Sequence, residues 1–208
     1  MAQIDLRPVR ITRDPTRRSV QLLAGLALYG TSVALVTRAG LGLEPWSVLA
    51  EGVLKHTGLS FGTVTGLISV VVLLLWIPLR QRPGIGTIAN VVVISVMVDA
   101  VRAVVPDQHD LAWQIALLAG GIALNGVATA TYVGARLGPG PRDGLMTGLA
   151  ARTGWSVRLV RTGIEVTVVV VGFFLGGTVG VGTVLYALAI GPLTQALLPY
   201  VVWRERAA

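Results

Sequence analysis

Gly138-Pro139-Gly140-Pro141-Arg142-Asp143-Gly144-Leu145-Met146-Thr147-Gly148-Leu149-Ala150-Ala151-Arg152-Thr153-Gly154 lies between two long apolar runs and is too polar and too short to be a third. Proline suits the first turn of a helix, where its missing N–H is not needed, and glycine suits the residue just past the end. The stretch therefore reads as a half-helix from Pro141 to Thr153. Its roughly 20 Å of length falls short of the ~30 Å of hydrocarbon that a spanning helix must cross.

A shift of 96 positions (Gly180 minus Gly84) places Gly42, Pro45, Leu49, Gly52 and Thr57-Gly58 on Gly138, Pro141, Leu145, Gly148 and Thr153-Gly154. The register holds without a gap over Leu22–Val105 against Leu118–Val201, with roughly thirty per cent of positions identical, a strong internal repeat. Gly25 meets Gly121, Gly30 meets Gly126, and Gly84-x-Gly86-Thr87 meets Gly180-x-Gly182-Thr183. Each half then reads as a long run, a Gly/Pro turn, a half-helix, a polar turn, a long run, a Gly-x-Gly-Thr turn and a last long run. The segments expected are a basic leader at 1–19, a first repeat at 20–106, an external connection at 107–113, a second repeat at 114–203 and a tail at 204–208.

Of the 208 residues 53% are hydrophobic and 13% charged, which is the balance of a polytopic membrane protein and not of a soluble globule. Six long apolar runs and the two shorter ones predict an all-α fold. The net charge of +7 comes from basic residues that flank apolar runs, so it argues against nucleic-acid binding, which needs a basic face on a folded domain. No cysteine is present, and thiol chemistry and Cys-ligated metal are excluded. The first run has a full counterpart in the second half, which argues against its being a cleaved signal peptide.

The basic residues also choose a topology. If the half-helices crossed the membrane, Arg80, Arg82, Arg136 and Arg142 would face outward and Asp107 and Asp110 inward, nearly the reverse of the positive-inside rule. If they are re-entrant, each half has three spans and the second half is inverted. The leader arginines (Arg7, Arg10, Arg13, Arg17, Arg18), Arg80, Arg82, Arg136, Arg142, Arg152, Arg158, Arg204 and Arg206 then share the cytoplasmic side, with Asp107, His109, Asp110 and the Gly176–Gly180 turn outside. The expected fold is thus two inverted repeats of three transmembrane helices plus one re-entrant half-helix each, in a bacterial inner membrane with both termini cytoplasmic.

Several motifs have structural readings. Gly58-Leu-Ser60-Phe-Gly62 matches a serine-hydrolase elbow but lacks the strand that motif needs. Ser60, and its counterpart Ser156, read as helix caps. Gly84-x-Gly86 lacks the βαβ context of a dinucleotide site, and its glycines read as packing contacts. His56 and His109 read as loop histidines with no metal-ligand spacing around them. Gly172-x-x-x-Gly176-x-x-x-Gly180 is a small-residue ridge suited either to internal packing or to a homodimer. Asp99 and Arg102, three apart near the outer end of the first half's last span, are spaced either for a minor pair or simply to reach the interface.

The sharpest constellation is Arg142, Asp143 and Gly144 at the start of the second half-helix, followed by Arg161 and Glu165. The last two stand i,i+4 and can pair. Ionisable groups at membrane depth face an interior or a cavity, and free N–H groups at a helix start favour an anion. A structural ion-pair network is the competing reading. In the first half Glu44, Trp46 and Ser47 occupy or flank the matching positions and Ser69 replaces Glu165.

Gly40-Leu-Gly42-x-x-Pro45-Trp46, Gly140-Pro-Arg142-Asp143-Gly-Leu-Met146, Arg161-x-x-x-Glu165, and Leu175-Gly-Gly-x-x-Gly-x-Gly-Thr183 leading to Ile190-Gly-Pro192 resemble the bacterial membrane proteins of the YczE type, related to the YitT group. The resemblance covers nearly the whole chain after the leader. It implies an integral bacterial membrane protein and carries no substrate.

The functional expectation is a small transporter or permeation protein for an anionic or phosphate-bearing solute, lipid-linked solutes included. Arg142, Asp143, Gly144, Arg161 and Glu165 would be the binding residues, with Gly42, Pro45, Gly138, Pro141 and Gly182 shaping the half-helices and turns. The alternative is a scaffold that organises membrane proteins or lipids. No cofactor is expected, and no recognisable nucleophile–base pair points to an enzyme.

Overall fold

The computed structural model describes Leu6 and residues 8–204. Arg7 and Arg206, counted above as cytoplasmic charges, lie outside the described residues. All regular structure among the described residues is helical: α1 (Pro15–Ala39), α2 (Pro45–Thr57), α3 (Phe61–Leu79), α4 (Ile85–Val104), α5 (Leu111–Gly134), α6 (Pro141–Thr153), α7 (Val157–Phe174) and α8 (Val181–Val201). Helix α1 begins at Pro15, inside the stretch read as leader. Both half-helices, 13 residues each, start at the proline and stop at the glycine that the sequence marks, with Gly58 and Gly154 left-handed at φ 65° and 75°. Ser60 and Ser156 accept from the N–H of Thr63 and Leu159, capping α3 and α7.

Five helices, α1, α3, α4, α5 and α8, are long and apolar enough to cross a membrane. The sixth long run, α7, has 18 residues but carries Arg158, Arg161 and Glu165. The outward faces are apolar at helical spacing, as in Ile85, Ile88, Val92 and Val96 of α4 or Val181, Leu185 and Leu188 of α8. In water that surface would aggregate; in hydrocarbon it is the expected exterior.

The 96-residue shift extends to the contacts. A Cβ on Gly25 would meet Tyr132 at 2.6 Å and one on Gly121 would meet Val36 at 2.7 Å, so α1 and α5 cross closely through two equivalent notches. Gly30 faces Met97 on α4 as Gly126 faces Leu193 on α8. The Gly86 N–H donates to Leu137 O (3.1 Å) and the Gly182 N–H to Leu41 O (2.8 Å). The turn glycines Gly42 and Gly138 adopt φ of 117° and 128°, which side chains rarely tolerate, and each lies against the glycine that opens the other half's last helix.

Helix ends gather in two groups. In one, Arg18 at the start of α1 meets the end of α5, Gln21 donates to Val201 O at the end of α8, α4 starts beside Leu137, and Arg152 of α6 donates to Pro78 O near the end of α3. In the other, Arg38 at the end of α1 pairs with Asp107 (2.7 Å), α8 starts beside Leu41, Lys55 of α2 donates to Gly176 O, and Glu51 accepts from the Thr178 N–H.

Four side chains depart from the sequence reading. Arg18 is fully buried and donates to five carbonyls, those of Val9, Arg10, Arg13, Ala135 and Arg136, so it ties the leader to the end of α5. Asp99 and Arg102 do not pair. Asp99 accepts from Ser60 Oγ and the Gly62 N–H at the open start of α3, while Arg102 donates to Thr37 Oγ1 and lies over the Phe61 ring. His56 stands in the last turn of α2, not a loop, with its Nε2 at 3.1 Å from Leu175 O. The Gly172 ridge packs inside the chain: a Cβ at Gly172 would meet Leu49 N at 2.5 Å.

Gly144 is the tightest notch on α6. A Cβ there would fall 2.0 Å from the Trp76 ring, whose Nε1 donates to Pro141 O at 3.0 Å. Overpacking of this kind costs about 1–3 kcal/mol, so Gly144→Ala should lower the melting temperature by several degrees. In the Trp76→Leu background, where the ring is gone, the same change should cost less than half as much.

Candidate functional site

The extended segments before α2 and α6 bring the starts of the two half-helices together. Glu44, the residue before Pro45, is 3% exposed; it lies 3.1 Å from Arg142 Nη1 and accepts from Ser47 Oγ at 3.1 Å. Arg142 stacks over the Trp46 ring with its guanidinium carbon 5.0 Å from the ring centre, which stabilises the cation further. The first half therefore supplies the anion and the aromatic face, and the second half the guanidinium.

Around this junction is a cavity of about 210 Å³, room for a small solute and its water. All eight helices border it: Tyr29, Trp46, Ser69, Asn90, Asn125, Arg142, Arg161 and Tyr186 come one from each. Tyr132 Oη donates to Asp143 Oδ2 (3.1 Å), and Tyr186 Oη to Asn125 Oδ1 (2.9 Å), whose Nδ2 donates to Ser32 Oγ (2.6 Å). Trp46 Nε1 and Thr194 Oγ1, both on residues that border the cavity, are buried without a partner among the described residues. Such donors are costly to leave dry and mark where a ligand or water completes the bonding.

Of the residues singled out in the sequence, Arg142, Asp143, Arg161 and Glu165 border this cavity together. Gly144 faces away from it, beneath Trp76. Pro45 and Pro141 border the cavity as the half-helix starts, while Gly42, Gly138 and Gly182 are packing positions outside its lining. Arg161 Nε and Glu165 Oε1 pair at 2.9 Å, but the two side chains are 50% and 28% exposed, against 23% and 4% for Arg142 and Glu44. The deeply buried pair is thus Arg142–Glu44, which joins the repeats, and not the i,i+4 pair on one helix.

The tyrosines and asparagines were not singled out in the sequence, yet the 96-residue shift carries their signal: Tyr29 is equivalent to Asn125 and Asn90 to Tyr186. Polar residues exchanged at matching places in apolar helices mark a common interior face. Thr65 and Ser69, equivalent to Arg161 and Glu165, also border the cavity and bond back to the carbonyls of Phe61 and Thr65. Among the described residues no three His, Asp or Glu side chains gather as metal ligands.

Removing one member of a buried pair strands the other charge, at about 3–5 kcal/mol, whereas removing both can be close to neutral. Glu44→Ala and Arg142→Ala should each lower thermal stability more than the double variant does. Additive losses would show that the two side chains are not coupled.

Comparison with known proteins agrees with the membrane architecture. Residues 16–199 match the model of a family of unknown function, DUF6198. An uncharacterized protein of Haemophilus influenzae is 40% identical over 177 residues, covering 85% of this chain and 81% of its own length. The uncharacterized membrane protein YczE of Bacillus subtilis is 33% identical over 195 residues, 89% of this chain and 90% of its own. The uncharacterized protein YyaS of the same organism is 25% identical over 181 residues, 85% and 90%. No solved structure matches. The chain is a membrane protein similar to YczE and belongs to the DUF6198 family.

Proposed function

We propose that this protein is a small transporter or permeation protein, neither an enzyme nor a passive scaffold, and that it handles an anionic or phosphate-bearing solute at the junction of the two half-helices. The observation that carries the reading is the cavity at that junction, bordered by the residues Arg142 and Arg161 with their two guanidiniums and by Trp46, whose Nε1 is unpartnered. A scaffold needs no polar hollow at its centre. Half-helix starts contribute roughly half a positive charge each, and broken elements near mid-membrane recur in secondary transporters.

Charge counting adds a condition. Arg142 and Arg161 face Glu44, Asp143 and Glu165 in the same cavity, and each guanidinium already has a carboxylate partner. The two helix starts roughly offset the third carboxylate. An anion entering this site must therefore arrive with a proton that neutralises a carboxylate and frees a guanidinium. Binding of sulfate, a fixed dianion, should tighten as pH falls, by up to tenfold per unit if one proton is taken up. Thermal stabilisation of purified protein by sulfate, phosphate and acetate measures this. A melting temperature unmoved by all three at every pH would turn the reading to the scaffold.

The reading includes two inverted repeats, each of three crossing helices and one re-entrant half-helix, in a bacterial inner membrane with both termini cytoplasmic. Its support is the grouping of helix ends. Gly42 before α2 lies against Gly180 and Lys55 at its end against Gly176, so both ends of α2 keep to one side, and α6 does the same opposite. Single cysteines in this cysteine-free chain should label from outside at Asp107 and Thr178 and from inside at Gln81 and Arg152. External labelling at both Gln81 and Arg152 would sink the inverted arrangement.

A further inference from the structure

The repeats differ most where α7 should meet α8. In the first half α3 packs along α4, and the contact depends on glycine: a Cβ on Gly62 would fall 2.0 Å from Ser95 O, and one on Gly66 2.9 Å from Ser95 Oγ. Under the 96-residue shift these positions become Arg158, Thr162 and Gly191. Side chains replace both notches, and among the described residues α7 packs on α2 and α6 but not along α8. A Cβ on Gly191 would meet nothing within 4 Å.

That missing seam lies in the wall of the charged cavity. Arg161 and Glu165 border the cavity from α7, and Gly191 and Thr194 from α8. The half-exposed Arg161 fits an opening at this place and not a sealed wall. Outside it the edges carry the exposed apolar Val166 on α7 and Leu188 on α8 together with the exposed Arg158 and Thr162 of α7, so the gap offers both apolar and polar edges to its surroundings. A polar, charge-lined hollow behind such a gap suits a ligand that has both characters. Thr194 and Trp46, which both border the hollow, each carry a buried polar atom without a partner among the described residues, an independent sign of bonding left for a ligand or water.

We infer that the ligand enters laterally between α7 and α8 and is an amphiphile: its phosphate-class head sits against Arg161 and Arg142, and its alkyl chain stays in the gap beside Gly191. The inference rests on the anion-site reading and narrows it. A free phosphate shares the head chemistry but makes no use of the gap.

The test uses the full chain in phosphatidylcholine nanodiscs at one pH, with dodecyl phosphate and inorganic phosphate as probes and thermal stabilisation as readout. Dodecyl phosphate should act at roughly tenfold lower concentration or better, because its chain is held as well as its head. Gly191→Phe fills open space, so the fold should survive; it should bring that advantage below about twofold. Gly163→Phe serves as the control. Gly163 also faces open space, but in the apolar groove between α3 and α7, and the variant should keep the advantage. An advantage that survives Gly191→Phe, or that is lost in Gly163→Phe, overturns the α7/α8 route. Stabilisation by inorganic phosphate with no advantage for dodecyl phosphate overturns the amphiphile and leaves the anion site standing. No stabilisation by either probe overturns both.

Discussion

Two short helices begin near the centre of this protein, and the pairing of Glu44 with Arg142 is what lets them do so. A helix start exposes unpaired N–H groups, which hydrocarbon cannot satisfy. The extended segments 40–44 and 136–140 that lead to them carry further unpaired backbone groups. These are absorbed by contact between the repeats: Leu41 and Leu137 carbonyls accept from the Gly182 and Gly86 N–H groups, and Pro139 O accepts from Thr87 Oγ1. The ion pair then fastens the two starts to each other, 98 residues apart in the chain. A salt bridge in low dielectric is a poor source of net stability, but breaking it on one side is costly because it strands the other charge.

Much of the architecture is legible in the sequence because it depends on local signals. Proline at a helix start, glycine past its end and serine at a cap set the bounds of α2, α3, α6 and α7 almost to the residue. The cavity is less legible. Arg161 and Glu165 declare their contact through i,i+4 spacing, but Glu44 reads only as a residue flanking a proline, since nothing local announces a partner in the other repeat. Arg18 misleads for a related reason. It belongs to a run of leader arginines that positive-inside counting treats as equivalent, yet its planar fork is spent on five carbonyls. Asp99 and Arg102 mislead in the opposite sense: their spacing permits a pair, but the open N–H groups at the start of α3 are the better partner for the carboxylate.

The two halves therefore separate into what is shared and what is not. Shared positions are those where backbone meets backbone: Gly25 and Gly121, Gly42 and Gly138, Gly86 and Gly182. A side chain at any of them would push apart helices that must touch, so geometry alone requires the same residue twice. Positions that border the cavity differ in kind between the halves: Trp46 against Arg142, Thr65 against Arg161, Ser69 against Glu165. One half brings hydroxyls, an indole and a single carboxylate; the other brings both guanidiniums and two carboxylates.

That asymmetry bears on what a site here can do. A cavity with like charges from both halves would offer a ligand two equivalent faces. Here the titratable groups of α6 and α7 sit on one side of the junction, with Glu44 as the one opposing charge, and the half-exposed Arg161–Glu165 pair is the part of the set most open to exchange. Arg142 is held by the Glu44 carboxylate and the Trp46 indole, so the guanidinium is fixed by groups from the other half.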